Sequence, residues 1–234
     1  MAAVGLRERI AALQQRIANA CQRCGRDPAA VTLVAVTKGV DAPTVREGIA
    51  LGLNNLGENR VQEARSKREA LGAGNGERGA RWHLIGHLQR NKAKEAVELF
   101  AVVHSLDTTA LAEALERHAA AADKEVEVFI QVNVSGEATK FGCAPGDTQA
   151  LAKTVMQLPH LRLRGLMTIA PFADDPETVR PVFRQLRGLR DEVTSSLHLP
   201  SSTFCLSMGM SHDFEVAIEE GADVIRVGTA IFGT

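Results

Sequence analysis

Short apolar runs rich in β-branched residues alternate with longer segments of helical period along almost the whole chain, and this alternation constrains the fold more than any other feature. A strand-length run that is followed each time by a helix-length segment does not pair with the next run through a tight hairpin. The chain returns across a helix, so successive strands lie parallel. Strands are read over residues 32–37, 54–57, 82–85, 101–104, 127–134, 163–167, 203–206 and 223–227. Helices are read over 5–24, 43–51, 60–71, 91–99, 108–122, 147–158, 176–197 and 211–220. Start signals support several of these: Pro43 just inside a helix after Asp41, Asp107 or Thr108 as an N-cap, and Ser211 ahead of a stretch with acidic residues.

Eight strands, each followed by a helix, within 234 residues predict one α/β domain spanning 1–234, a (β/α)8 barrel with an extra N-terminal helix over 1–24 packed on it. An open doubly wound sheet is the alternative. A formal net charge of −1 lacks the electrostatic footprint of a nucleic-acid or acidic-membrane binder. No apolar run approaches the roughly 18 residues that a membrane-crossing helix needs, and the first twenty residues are amphipathic rather than signal-like. Four cysteines in a chain of this size point to a reducing cytoplasm.

In such barrels the chemistry lies just beyond the strands' carboxyl ends, and phosphate is held after strands seven and eight. The first strand runs into Lys38 and Gly39. A lysine at the end of a buried strand is costly to desolvate, and desolvation favours the amine form that attacks carbonyls. After strands seven and eight, Ser207, Gly209, Gly228 and Thr229 offer hydroxyls and unobstructed backbone N–H groups, and the second segment can open a short helix toward an anion. A Schiff-base lysine opposite a phosphate cradle implies a ligand that is both an aldehyde and a phosphate ester, and pyridoxal 5'-phosphate is such a cofactor. Arg226 then partners the pyridine nitrogen. Arginine holds its own proton too tightly to protonate that nitrogen, so the ring stays a weak electron sink.

The stretches Leu33 to Lys38, Leu56 to Asn59 with Val61 to Glu63, Trp82 to Gly86 with Leu88, Gln89, Asn91 and Lys92, Val132 to Ser135, Gly165 to Met167, and 207–233 resemble the YggS-like pyridoxal phosphate homeostasis proteins. These are relatives of the N-terminal barrel of alanine racemase. The resemblance implies a fold-type III barrel with pyridoxal phosphate on Lys38, no established turnover, and a role in buffering the cofactor or delivering it to apo-enzymes. It places Ser207, Gly209, Gly228 and Thr229 at the phosphate, Arg226 at the pyridine nitrogen, and Asn59 and His83 in the cofactor's surroundings. Where the family commonly has an aromatic residue after Glu-Asn, this chain has Arg60.

An amino-acid racemase is the alternative function. Racemases that resemble this barrel use the lysine and a tyrosine from a second domain as bases on opposite faces, and this chain contains no tyrosine. His83 is the nearest substitute second base. The missing dimer-forming domain favours a monomer. A cofactor-free barrel aldolase would leave Arg226 and Gly228 without a purpose. Gly74 to Gly79 is formally G-x-G-x-x-G, but it lies between a helix and a strand, the reverse of a dinucleotide fingerprint. Cys21 and Cys24 lack a second pair for zinc, and His83 with His87 lacks a third ligand, so no metal is expected.

Overall fold

The computed structural model describes residues 5–72, 79–137 and 140–233. The strands β1 (Thr32–Val36), β2 (Asn55–Glu58), β3 (Arg81–Leu84), β4 (Val102–Leu106), β5 (Val126–Gln131), β6 (Leu161–Met167), β7 (Cys205–Met210) and β8 (Val224–Val227) form a closed barrel in sequence order. Every pairing is parallel, and β8 closes on β1 with Val34 opposite Arg226. Closure rather than an open sheet satisfies the ladder groups of both terminal strands.

The outer layer is α1 (Leu6–Arg23), α2 (Ala42–Ala50), α3 (Val61–Leu71), α4 (Ala93–Leu99), α5 (Thr109–Ala121), α6 (Thr148–Val155), α7 (Arg180–Leu197), α8 (Phe214–Glu219) and the single turn α9 (Thr229–Phe232). Caps explain several starts. The Asp41 carboxylate accepts the Thr44 N–H at 2.9 Å, and the Thr108 hydroxyl accepts that of Leu111 at 3.3 Å. Leu6, Ile10, Leu13, Ile17 and Ala20 of α1 recur at helical spacing and are all buried. They face α8 and α9, and the Arg9 guanidinium donates to the Ile231 carbonyl at 2.6 Å.

Two apolar clusters divide the molecule. The larger fills the shell between strands and helices, and a smaller one, including Val34, Val36, Ile85, Phe129 and Met167, fills the barrel itself. No described helix is long and apolar enough to cross a membrane. The residues 74–78 of the G-x-G-x-x-G sequence lie outside the described residues.

The strand positions match the sequence reading to within a few residues, with one consequential exception. The sequence places the end of the seventh strand at Leu206, whereas β7 continues to Met210. Gly209 has φ +91°, and a β-carbon there would lie 2.6 Å from the Ala217 Cβ and 3.0 Å from the Phe214 Cα. Glycine is what lets the strand continue close against α8. The eighth helix accordingly begins at Phe214, with Asp213 rather than Ser211 at its N-cap.

Candidate functional site

At the carboxyl-terminal mouth of the barrel a cleft of about 550 Å³ collects Lys38, Asn59, Ser211, Arg226, Gly228 and Thr229. Its further walls are mostly apolar or aromatic, with Gln131 among them and Phe141 stacked on His87 at a centroid separation of 3.9 Å. Among the described residues that line it there is no carboxylate. Its charge therefore suits an anion.

Lys38 follows the last ladder residues of β1 in a tight turn. Thr37 is fully buried and still bonds across to β2, its N–H donating to the Gly57 carbonyl at 2.9 Å. Gly39 takes φ +71°, which a side chain would oppose, and the Val40 N–H closes the turn onto the Thr37 carbonyl at 3.0 Å. The Lys38 side chain is exposed, because the turn lifts it clear of the strand and into the cleft. The desolvation expected of Lys38 is thus corrected: its side chain is exposed, and the buried lysine nearby is Lys67, 7% exposed on α3.

The strand-eight loop reaches the cleft, and Ser207 and Gly209 of the strand-seven segment do not. Gly228 and Thr229 line the cleft, and a β-carbon on Gly228 would approach the Val36 carbonyl oxygen to 3.1 Å. Ser207 and Gly209 are not among the lining residues, because the longer β7 keeps both within the strand. Ser207 is fully buried, and Gly209 packs on α8. A register shift against β8 between Ser207 and Met210 brings Met210 and Ser211 to the cleft instead. The Ser211 hydroxyl accepts the Gly228 N–H at 3.2 Å and ties the two loops together. Its position after a Gly-containing segment was legible, but as a helix start rather than a loop tie.

Behind Arg226 runs a file of polar groups inside the barrel. The guanidinium donates to the Thr168 carbonyl at 2.8 Å and to Ser207 Oγ at 2.7 Å. Ser207 in turn meets His104 Nδ1 at 2.9 Å, His104 Nε2 meets His83 Nδ1 at 3.0 Å, and His83 Nε2 meets Asn55 Oδ1 at 3.1 Å. Asn55 Oδ1 can only accept and each neutral imidazole carries one proton, so the direction of every bond in the file follows from that end. Ser207 donates to His104, His104 to His83, and His83 to Asn55, with both imidazoles neutral and protonated on Nε2. Burial pushes the His83 imidazole down to about 3 and that of His104 well below the usual histidine range. Burial also lowers Arg226, to about 10, which leaves it protonated at neutral pH.

This placement corrects the reading of His83. It is 5% exposed within the barrel and does not line the cleft. A neutral imidazole whose two nitrogens are both engaged, and which resists protonation, is no base for the opposite face of a ligand. His104 was missed by sequence reasoning. Its signal is a lone titratable residue in the short, fully buried strand β4, at an inward position beside His83.

A lysine, a buried arginine and a glycine turn meet at the mouth of a closed eight-stranded parallel α/β barrel, a donor set that suits an anionic ligand. The family model described as "Alanine racemase, N-terminal domain" matches residues 9–234. The chain is 43% identical to the pyridoxal phosphate homeostasis protein of Aquifex aeolicus over 226 residues, covering 97% of this chain and 96% of that one. It is 46% identical to the protein of the same name from Pseudomonas aeruginosa, covering 97% and 94%. PipY of Synechococcus elongatus PCC7942 has been solved without PLP (TM-score 0.85, 38% identity) and with PLP bound (TM-score 0.82, 37% identity), in each case covering 98% of this chain and 100% of that one. The chain belongs to the pyridoxal phosphate homeostasis protein family, within the alanine racemase N-terminal-domain group.

Proposed function

We propose that this protein binds pyridoxal 5'-phosphate at the barrel mouth as an imine of Lys38 and serves intracellular cofactor homeostasis, buffering pyridoxal phosphate or delivering it to apo-enzymes without turnover of its own. The observation that carries this reading is the cleft's donor set: an accessible amine, a buried guanidinium and a glycine turn, with no carboxylate among the described lining residues. The residues fit the group. A β-carbon on Gly228 would crowd Val36, so the turn there is open only because that residue is glycine. Ser211, Gly228 and Thr229 would face the phosphate, Arg226 the pyridine nitrogen, and Asn59 the ring's edge. Ser207 serves from behind, by fixing Arg226.

The cofactor supplies an aldehyde that a primary amine captures reversibly, which suits storage as well as catalysis. The chain's own residues favour storage. Arg226 would hold the ring nitrogen while keeping its own proton, so the bound group would supply only weak electron withdrawal. His83 is committed to the interior file, and the chain has no tyrosine to stand on the other face. Homeostasis by a monomer that meets apo-enzymes transiently follows from this reading.

Borohydride treatment of protein saturated with pyridoxal phosphate should place a pyridoxyl group on the Lys38 peptide, and Lys38→Ala should stay colourless. An unmodified Lys38 peptide overturns the reading. In heavy water, loaded protein should leave the α-proton of alanine unexchanged over hours. Exchange with inversion would instead mark a racemase.

A further inference from the structure

The buried lysine of this molecule has no part in the cleft, and its surroundings explain where it is. Lys67 lies on the second turn of α3, and the three protons of its ammonium go to three acceptors. These are Glu58 Oε1 at 2.6 Å, Glu63 Oε1 at 2.8 Å and the Thr37 backbone carbonyl. The Thr37 hydroxyl donates to the same Glu58 oxygen at 2.5 Å, and the Gly39 N–H donates to Glu63 Oε1 at 2.6 Å. The two residues that flank Lys38 are therefore both held by one cluster. Thr37 is gripped by carbonyl and hydroxyl, Gly39 by its N–H, and the residue between them is left free to reach into the cleft.

The spacing of the three charged residues makes this possible. Glu58 ends β2 beside the end of β1, Glu63 occupies the first turn of α3, and Lys67 follows it by four residues on the same helix face. Desolvation is severe at Glu58, which is fully buried. Burial raises its carboxyl above the usual range against the opposing pull of the Lys67 and Thr37 bonds. At Glu63 burial also pushes upward, but the bonds from Lys67 and the Gly39 N–H outweigh it and hold the carboxyl below that range. A buried ion cluster of this kind is a poor source of stability compared with apolar packing, so its presence calls for another role.

We infer that Lys67, with Glu58 and Glu63, is a positioning clamp that fixes the backbone on both sides of Lys38 and so sets the reach of its amine toward a carbonyl in the cleft. The inference rests on the proposed role of Lys38. The clamp touches no ligand. It acts through Thr37 and Gly39, and it converts a turn at the barrel rim into a rigid base for one flexible side chain.

The test compares Lys67→Met and Glu63→Ala with Leu71→Ala, a buried substitution near the far end of α3 that loosens the helix without touching the clamp. Two quantities are read: amide exchange of the 37–40 turn in protein with no cofactor added, and the rate at which pyridoxal phosphate becomes borohydride-trapped on the Lys38 peptide. Glu63 is part-exposed, so Glu63→Ala keeps the comparison available if Lys67→Met fails to fold. Both clamp variants should expose the turn to exchange and slow trapping, by about ten-fold for Lys67→Met and about three-fold for Glu63→Ala, while Leu71→Ala keeps the wild-type rate. A clamp variant that matches Leu71→Ala in both readouts overturns the inference and leaves the cluster as a fastener of α3. If wild-type protein traps nothing on Lys38, the cofactor reading falls, and the exchange measurement, which contains no cofactor, still decides whether the clamp holds the turn.

Discussion

On the β1–β2 side of the cleft the turn bearing Lys38 is backed by an ammonium between two carboxylates, whereas on the β7–β8 side Arg226 is backed by a hydroxyl and two uncharged imidazoles. Both arrangements hold a cationic side chain at the mouth, and they do so by opposite means. The first shares one ammonium between two carboxylates within a closed cluster, where each partner removed strands another. The second relays donors away from a single cation until they end on the neutral amide of Asn55. The charged cluster should therefore fail by mutation and the neutral file by acid.

The largest effect is expected at Lys67. Lys67→Met strands a fully buried Glu58 and should lower the free energy of unfolding by about 3–5 kcal/mol at neutral pH, measured in urea. The sign with pH is fixed by Glu58, whose folded carboxyl already lies above its unfolded value and rises further without Lys67. Protonating it removes the stranded charge, so the deficit of the variant should shrink as the pH falls toward the usual carboxylate range. A deficit independent of pH would mean that the cluster acts by packing alone.

The file should show the converse. His83 and His104 are held below their unfolded values, so each takes up a proton only on unfolding. The stability they lend is present above the unfolded histidine range and is lost as the pH falls toward the folded values. Each should add about 1.4 kcal/mol per pH unit to the slope between roughly pH 6 and 4. Replacing both with Gln should flatten that limb in chemical denaturation at stepped pH, and an unchanged limb would break the contrast between the two sides.

Smaller effects sharpen it. Gly209→Ala forces a side chain at φ +91° against Ala217 and should cost about 1–3 kcal/mol while leaving the Lys38 turn's amide exchange unchanged. Phe172 is 82% exposed beside the cleft and belongs to neither support. Phe172→Ser should move the thermal midpoint by no more than about 0.5 kcal/mol equivalent.

Most of the barrel could be read from the sequence because a parallel strand with both faces covered announces itself as an apolar run, as at β1 and β5. The β7 extension could not, since Ser207 and Gly209 carry a loop's composition and only the closeness of α8 makes that glycine a strand residue. Lys38, Arg226, Gly228 and Thr229 were found from their place at strand ends, and the structure gathers all four at one cleft. Lys67 was invisible for a different reason. It sits among Arg65, Ser66 and Arg68 on a polar helix, and only the convergence of Glu58 and Glu63 from two other turns of chain distinguishes it from its neighbours.

The helix after the last strand is one turn long, too short to cover the seam where β8 closes on β1. The first helix covers that end of the molecule, packing on α8 and α9 and bonding across 222 residues from Arg9 to Ile231. During vectorial synthesis, α1 therefore has to wait for α8 and α9, which are made long after it. Until the final strand is made, the apolar stripe of α1 has no native partner, and docking it is a closing event of folding rather than an early one.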